Sequence, residues 1–317
     1  MTIILVTGSE GAIGDFIVKD LYQQFENPTI IRIGRKECTI QDKKSKYYWG
    51  DLTDTAFMQM VFSENTVDYV IACAARWNGI NQDVSIIDNN ILLNSSLMHS
   101  LSDSVLKLIF ISSSAVYQAP NYSDQTPIAN YPNSTYGGSK LISEIMIEQM
   151  ANIKGFSYTI YRPFHVVSPL ENFERGRSHV CTDFCHRMLV NNEDIDSLPH
   201  ENGIGFMWVE DFSDIIVSNL KNIQTDNQII NVGTTEEHSI KELAIEIKQQ
   251  AHFHNLIGSN TEDIALTPFP LQQDGRFDKL QLIYPTFQST RFTDCVTKFI
   301  KFKYLKGNKN DIEISSC

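Results

Sequence analysis

The chain has 317 residues, 42% of them hydrophobic, enough to bury a large core in one domain or two coupled ones. Its 26 Lys and Arg stand against 38 Asp and Glu, a formal net charge of −12, and only residues 301–309 are lysine-spotted, so nucleic acid is not an expected partner. No stretch approaches the roughly 20 apolar residues of a membrane span, the run at 3–6 is too short for a signal peptide, and the six cysteines lack a disulfide spacing; a cytoplasmic protein with reduced thiols is expected.

Short apolar runs alternate with longer helical patterns. Residues 3–7 read as a strand, 13–25 as a helix, 29–34 as a strand, 68–74 as a strand and 86–101 as a helix. A strand at 108–113, a helix at 135–150 and a strand at 157–162 follow. This repetition predicts an α/β fold, a doubly wound parallel sheet covered on both faces by helices. Runs such as YVIACAA and KLIFISSS are apolar without alternation, as strands buried on both faces require. Past Pro163 the pattern loosens to a helix at 181–190, another near 240–250, and irregular segments beyond. The expected division is 1–162 plus 206–235 for the sheet domain, and 163–205 plus 236–317 for a smaller α/β substrate-binding lobe.

The first strand runs into VTGSEGAIG, which places Gly8, Gly11 and Gly14 at a strand-to-helix turn. Such glycines let the backbone approach a pyrophosphate, whose charge meets free N–H groups and the positive end of a helix dipole. About 20 residues on, where an acid commonly holds a ribose hydroxyl, the sequence reads IGRKE. Arg35 and Lys36 there suit the 2′-phosphate of NADP, or form a solvated basic turn. In GDLTD, Asp51 is placed to accept from an adenine amino group, and Asp54 to cap a helix. After a loop holding Pro120, Pro127 and Pro132, the stretch STYGGSK sets Tyr136 and Lys140 one helical turn apart on one face. His179, Cys181, Cys185 and His186 form a single tight group; closed zinc sites combine two separated pairs, so packed thiols beside a histidine are expected and no metal.

The order of the glycine turn, GDLTD, CAA at 73–75, SSSAVY at 112–117, Tyr136-x-x-x-Lys140 and YRPFHVVSP at 161–169 resembles the extended short-chain dehydrogenase/reductases, and within them the sugar-nucleotide epimerase/dehydratase branch. FMWVEDFSDII, NVG and GRFDKLQ extend the likeness over nearly the whole length. The resemblance implies a Rossmann-type fold, an NAD(P) cofactor with NADP favoured by Arg35, a nucleotide-sugar substrate, a homodimer formed through helices that include the Tyr-Lys helix, and a place in polysaccharide biosynthesis. It implies a catalytic set of Ser113, Tyr136 and Lys140. It implies cofactor contacts at Gly8, Gly11, Ala12, Ile13, Gly14, Arg35, Asp51, Leu52, Ala74, Tyr136, Lys140, Pro163 and Val166. Substrate contacts fall on Ser114, His165, Asn172 and His179.

Residues 169–180 are also similar to the corresponding stretch of the GDP-fucose synthases, which would make His179 an acid; Ala115 stands where that group carries a cysteine, against a double epimerisation. Ser114 and Ala115 also stand where 4,6-dehydratases carry Asp-Glu, and a methyl group moves no proton, so dehydration is disfavoured. The expected activity is hydride transfer at a sugar ring carbon, most often C4, with Tyr136 as acid/base. A ketoreductase of a non-nucleotide substrate and a non-catalytic, cofactor-sensing protein of the same fold are the alternatives.

Overall fold

The computed structural model describes residues 2–35, 44–77, 83–117, 132–174, 178–193, 203–256 and 277–305. Lys36 of the basic turn lies outside them. In chain order the elements are β1 (Ile3–Thr7), α1 (Gly14–Gln24), β2 (Thr29–Gly34), β3 (Lys46–Trp49), α2 (Thr55–Ser63), β4 (Tyr69–Ala72), α3 (Val84–Ser100), β5 (Lys107–Ile111), α4 (Thr135–Lys154) and β6 (Ser157–Pro163). They continue with β7 (Val166–Val167), α5 (Val180–Leu189), β8 (Gly203–Gly205), β9 (Met207–Trp208), α6 (Val209–Ser218), β10 (Gln228–Val232), β11 (Glu237–Ser239), α7 (Ile240–Phe253), α8 (Asp278–Ile283) and α9 (Phe292–Ile300).

Seven strands form one parallel sheet in the order β10-β6-β5-β4-β1-β2-β3. Strand residues alternate between two cores: Ile109 and Ile111 pack with α1 and α6, whereas Leu108 and Phe110 pack with α2, α3 and α4. That two-sided burial explains the unbroken apolar runs. The strand order reverses beside β1, and in doubly wound sheets the carboxyl ends of the strands at such a point, here β1 and β4, are where ligands bind.

β3 and α2 complete the first half of the sheet and were absent from the expected elements. KYYW in β3 is half-exposed, so its alternation is weak. Asp54 caps α2, accepting from the N–H groups of Ala56 and Phe57, the capping role weighed for it. A third core joins Val167, Phe184, Cys185, Trp208, Leu243, Val296 and Phe299. Here the expectation of irregular segments after α7 is corrected: α8 and α9 are helices, and α9 buries Phe292, Cys295, Val296, Phe299 and Ile300 on one side. β7 pairs with β9 and β8 with β11, two small ribbons beside the main sheet.

Candidate active site

Gly8 closes β1 with φ +63°, and a Cβ there would lie 2.8 Å from the Ala74 backbone, so the turn requires glycine twice over. Gly11 donates to the Gly8 carbonyl at 3.0 Å, and no side chain caps the start of α1 at Ile13. Ala74 N–H donates to Thr7 Oγ1 at 3.3 Å, tying the end of β4 to the end of β1. Ser168, just past β7, donates to the Ala12 carbonyl at 2.6 Å and braces the loop from the other side. The result is a rigid bed of backbone N–H groups at a helix N-terminus, and it fits a dinucleotide diphosphate.

Arg35 and Asp51 lie exposed past the ends of β2 and β3, with the Asp51 carboxylate accepting from Thr53 N–H at 2.9 Å. That bond, and the nearby Arg35 charge, hold its pKa below the ordinary carboxylate value. Leu52 is buried, while Pro163 and Val166 are half-buried where β6 gives way to β7.

Tyr136 and Lys140 share one face of α4, with the Lys140 Nζ 5.7 Å from the Tyr136 ring centroid. Ser134 caps this helix through Gly137 N–H at 3.0 Å. Lys140 is buried, donates to the Ile111 carbonyl at 2.5 Å and lies 4.7 Å from the centroid of the Phe110 ring. Burial pulls its pKa down to about 8, against the opposing influence of Cys73 and Glu144. Ser113 caps the short turn Ser114–Val116 through Ala115 N–H at 3.1 Å. That turn abuts the start of α4: a Cβ on Gly137 would fall 2.0 Å from the Ala115 carbonyl oxygen.

Enclosure pushes the Tyr136 phenol above its ordinary value. The protein alone supplies no downward shift of this phenol, because the Lys140 ammonium is engaged at Ile111 rather than at the phenol.

Sequence reasoning missed three further groups here: Trp77, which meets Tyr136, and Asn90 and Glu171, which hold its neighbours. Trp77, beyond β4, lies edge-on to Tyr136 at 4.8 Å between centroids and stacks flat on His179 at 5.6 Å. Asn90 of α3 holds that segment by pairing with both the N–H and the carbonyl of Arg76, and also donates to Ser139 Oγ of α4 at 2.9 Å. Glu171 grips His179, accepting from its backbone N–H at 3.0 Å and lying 2.6 Å from its Nδ1. Despite partial desolvation, this carboxylate raises the His179 pKa, and the imidazole and Thr182 hold Glu171 below its ordinary value.

His165 takes a left-handed backbone, φ +43°, and is exposed to solvent. Enclosure by protein, with His179 close by, draws its pKa down to about 4. Asn172 is exposed, and its carbonyl accepts from Ser178 Oγ at 3.2 Å. Among the described residues no three His, Cys, Asp or Glu side chains converge as metal ligands. Cys181 and Cys185 are buried and hydrogen-bond to each other.

Behind the face of α4 that carries Tyr136 and Lys140 lies a buried polar network. Arg162 donates to Glu144 from Nε at 3.0 Å and Nη2 at 2.5 Å, and to the Tyr117 hydroxyl from Nη1 at 2.7 Å. Ser112 donates to the same Glu144, and Tyr117 to Asn231 at 2.8 Å. The network fixes Ser112, the neighbour of Ser113, against the helix that carries Lys140.

The profile of the NAD dependent epimerase/dehydratase family matches residues 4–233. A UDP-glucose 4-epimerase of Lactobacillus helveticus is 25% identical over 264 residues, which is 76% of this chain and 79% of that protein. The structure of a Thermotoga maritima UDP-glucose 4-epimerase with UDP-glucose superposes with a TM-score of 0.73 at 20% identity, covering 95% of this chain and 98% of that one. A Bacillus anthracis dTDP-glucose 4,6-dehydratase in complex with NAD gives 0.77 at 18% identity, with 98% of each chain covered. These relatives are UDP-glucose 4-epimerases and a dehydratase, and the likeness to GDP-fucose synthases stands on residues 169–180 alone. Because the family profile runs unbroken from β1 through the Tyr-Lys helix to the end of β10, the chain belongs to the NAD dependent epimerase/dehydratase family.

Proposed function

We propose that the protein is a nucleotide-sugar epimerase or oxidoreductase acting at a single ring carbon, C4, with Tyr136 as its acid/base. The observation that carries this reading is the placement of Tyr136 and Lys140 on one face of α4, beside the turn that holds Ser113. When bound, the nicotinamide ring accepts hydride from the sugar carbon or returns it.

Tyr136 takes the proton of the C4 hydroxyl and gives it back, and Ser113 Oγ orients that oxygen. Lys140 places a positive charge behind the phenol, and its reduced basicity makes that charge sensitive to pH near 8. Trp77 and His179 wall the sugar pocket, His165 lines the cleft, and residues 163–205 and 236–317 serve as the substrate lobe. Gly8, Gly11, Ala12, Ile13 and Gly14 hold the diphosphate, with Asp51 and Leu52 toward the adenine.

Ser114 and Ala115 argue against dehydration, since neither supplies the acid and base that loss of water across C5 and C6 needs. The test is incubation with cofactor and a panel of UDP-, dTDP-, GDP- and CDP-hexoses, read by mass spectrometry and chromatography. Unchanged mass with inverted C4, or a change of two mass units, supports the reading; a product lighter by one water overturns it.

A homodimer through α3 and α4 fits the exposed Leu92, Ile142, Ile145 and Ile153 on those helices. Light scattering on the wild type and on Ile145→Glu tests it, with a dimer expected for the first and a monomer for the second.

A further inference from the structure

A separate cleft lies on the side of the sheet that α1 and α6 cover, whereas α4 with Tyr136 covers the other. Its volume of about 770 Å³ is that of a small-molecule pocket. Asp20 of α1 and Glu210, Asp211 and Asp214 of α6 bring four carboxylates to its lining. Phe16 of α1, Tyr284 and Phe287 after α8, and Phe302 after α9 bring four aromatic rings.

The fold answers part of this charge and leaves the rest. Asp211 accepts from the Thr290 N–H at 2.6 Å and hydroxyl at 2.9 Å, and Glu210 accepts from the Trp208 indole at 2.8 Å and lies 3.4 Å from Lys298 Nζ. Asp214 has only neutral donors there, the Gln24 amide and the Tyr284 hydroxyl, both at 2.9 Å. Lys19, the lysine of the lining, lies 2.8 Å from Asp15 and 5.0 Å from the centroid of the Phe16 ring. Burial raises the Asp20 pKa, and Asp214 and Glu210 add to it, against the Ser213 hydroxyl and Lys19. Ser213 is itself fully buried, and its hydroxyl, turned to Asp20, completes no hydrogen bond. The last turn of α1, which lends Gln23 and Gln24 to the lining, carries no basic residue against the negative end of the helix dipole.

A carboxylate kept where the fold disfavours its charge points to a role outside stability. Ammonium groups meet such carboxylates as donors, and aromatic faces attract the charge while covering the methylenes between one ammonium and the next. We propose that this cleft binds a linear polyamine, with its ammonium groups on Asp20 and Asp214 and its methylene chain along Phe16, Tyr284 and Phe287. A cation seated there fixes the Asp20 carboxylate as the acceptor that the Ser213 hydroxyl lacks. The site stands apart from the reaction at Tyr136 and does not depend on it.

The experiment is isothermal titration calorimetry of the full chain with spermidine, and in parallel with a lysine-rich peptide, at about 0.15 M salt. Spermidine is expected to bind the wild type with a Kd below about 1 mM. Asp20→Asn should weaken it about tenfold or more, the scale of a hydrogen bond to a charged group, and Phe287→Ala severalfold. Asp103→Asn removes the same charge at an exposed position outside the cleft and should leave the Kd within about twofold. Asp20→Asn is nearly isosteric and removes a charge that burial disfavours, so its thermal midpoint should equal or exceed that of the wild type. Heat no greater than dilution for the wild type denies the site and overturns the proposal. Equal weakening by Asp103→Asn and Asp20→Asn overturns it too, since it reduces the binding to the general attraction of an acidic chain. Binding of the peptide without binding of spermidine overturns it in favour of a protein partner.

Discussion

Lys140 Nζ donates to the carbonyl of Ile111 at 2.5 Å, which locks the fourth turn-mate of Tyr136 to the end of β5. Burial there lowers the lysine pKa to about 8, whereas the unfolded chain keeps its proton to about 10.4. Between those values the unfolded state binds more protons, so stability rises with pH across this window, and the buried charge is a cost below it. Lys140→Met should remove about 3 kcal/mol of that rise, read from urea unfolding at pH 7 and pH 10. An unchanged pH slope in the variant would show that Lys140 is not the group responsible.

Tyr136→Phe should keep cofactor binding and lose at least about a hundredfold in turnover, the scale of a missing general acid/base. Single-turnover kinetics beside equilibrium dialysis separate the two effects. Turnover near the wild-type level would remove Tyr136 from its assigned role.

His179 should titrate above the ordinary histidine value in a proton NMR titration, because Glu171 lies 2.6 Å from its Nδ1. Its elevated value adds stability that is complete below the unfolded histidine pKa and is lost as pH rises through the folded one. Glu171, held low, contributes above the ordinary carboxylate value and loses that contribution as pH falls. The pair is therefore most favourable between about pH 4.3 and 6.5. Glu171→Gln should bring the His179 midpoint down; an unmoved midpoint would contradict the pairing.

Much of the fold was legible because buried parallel strands leave dense apolar runs: β1 and β2 fall on the expected residues, and α1, α3 and α4 within a few. β3 escaped because its half-exposed KYYW carries little burial signal, and α9 because its periodic face is built from Phe, Cys, Val and Ile in a short segment. The cradle and the Tyr-Lys pair were legible because their spacing is local. Trp77, Asn90 and Glu171 were not, since each matters only through partners far along the chain, as Asn90 does at Ser139.

Glu144→Ala should destabilise the protein by about 3 to 5 kcal/mol, because it leaves the fully buried Arg162 without its counter-charge. The double variant Glu144→Leu with Arg162→Met should recover much of the loss, since it buries no uncompensated charge. Chemical denaturation of the three proteins decides the matter. Equal losses in single and double variants would assign the cost to packing instead.

The face-to-face stack of Trp77 on His179 gives the molecule an optical gauge of its own. An imidazolium laid against an indole quenches its fluorescence, and Glu171 raises the pKa of that imidazole. Trp49 stacks on Tyr47, and Trp208 donates to Glu210, so neither of the other two tryptophans shares this neighbour. Emission from Trp77 therefore reports where α5 stands relative to the tyrosine it helps to enclose. Any sugar that parts the two rings announces its arrival as light, without label or product.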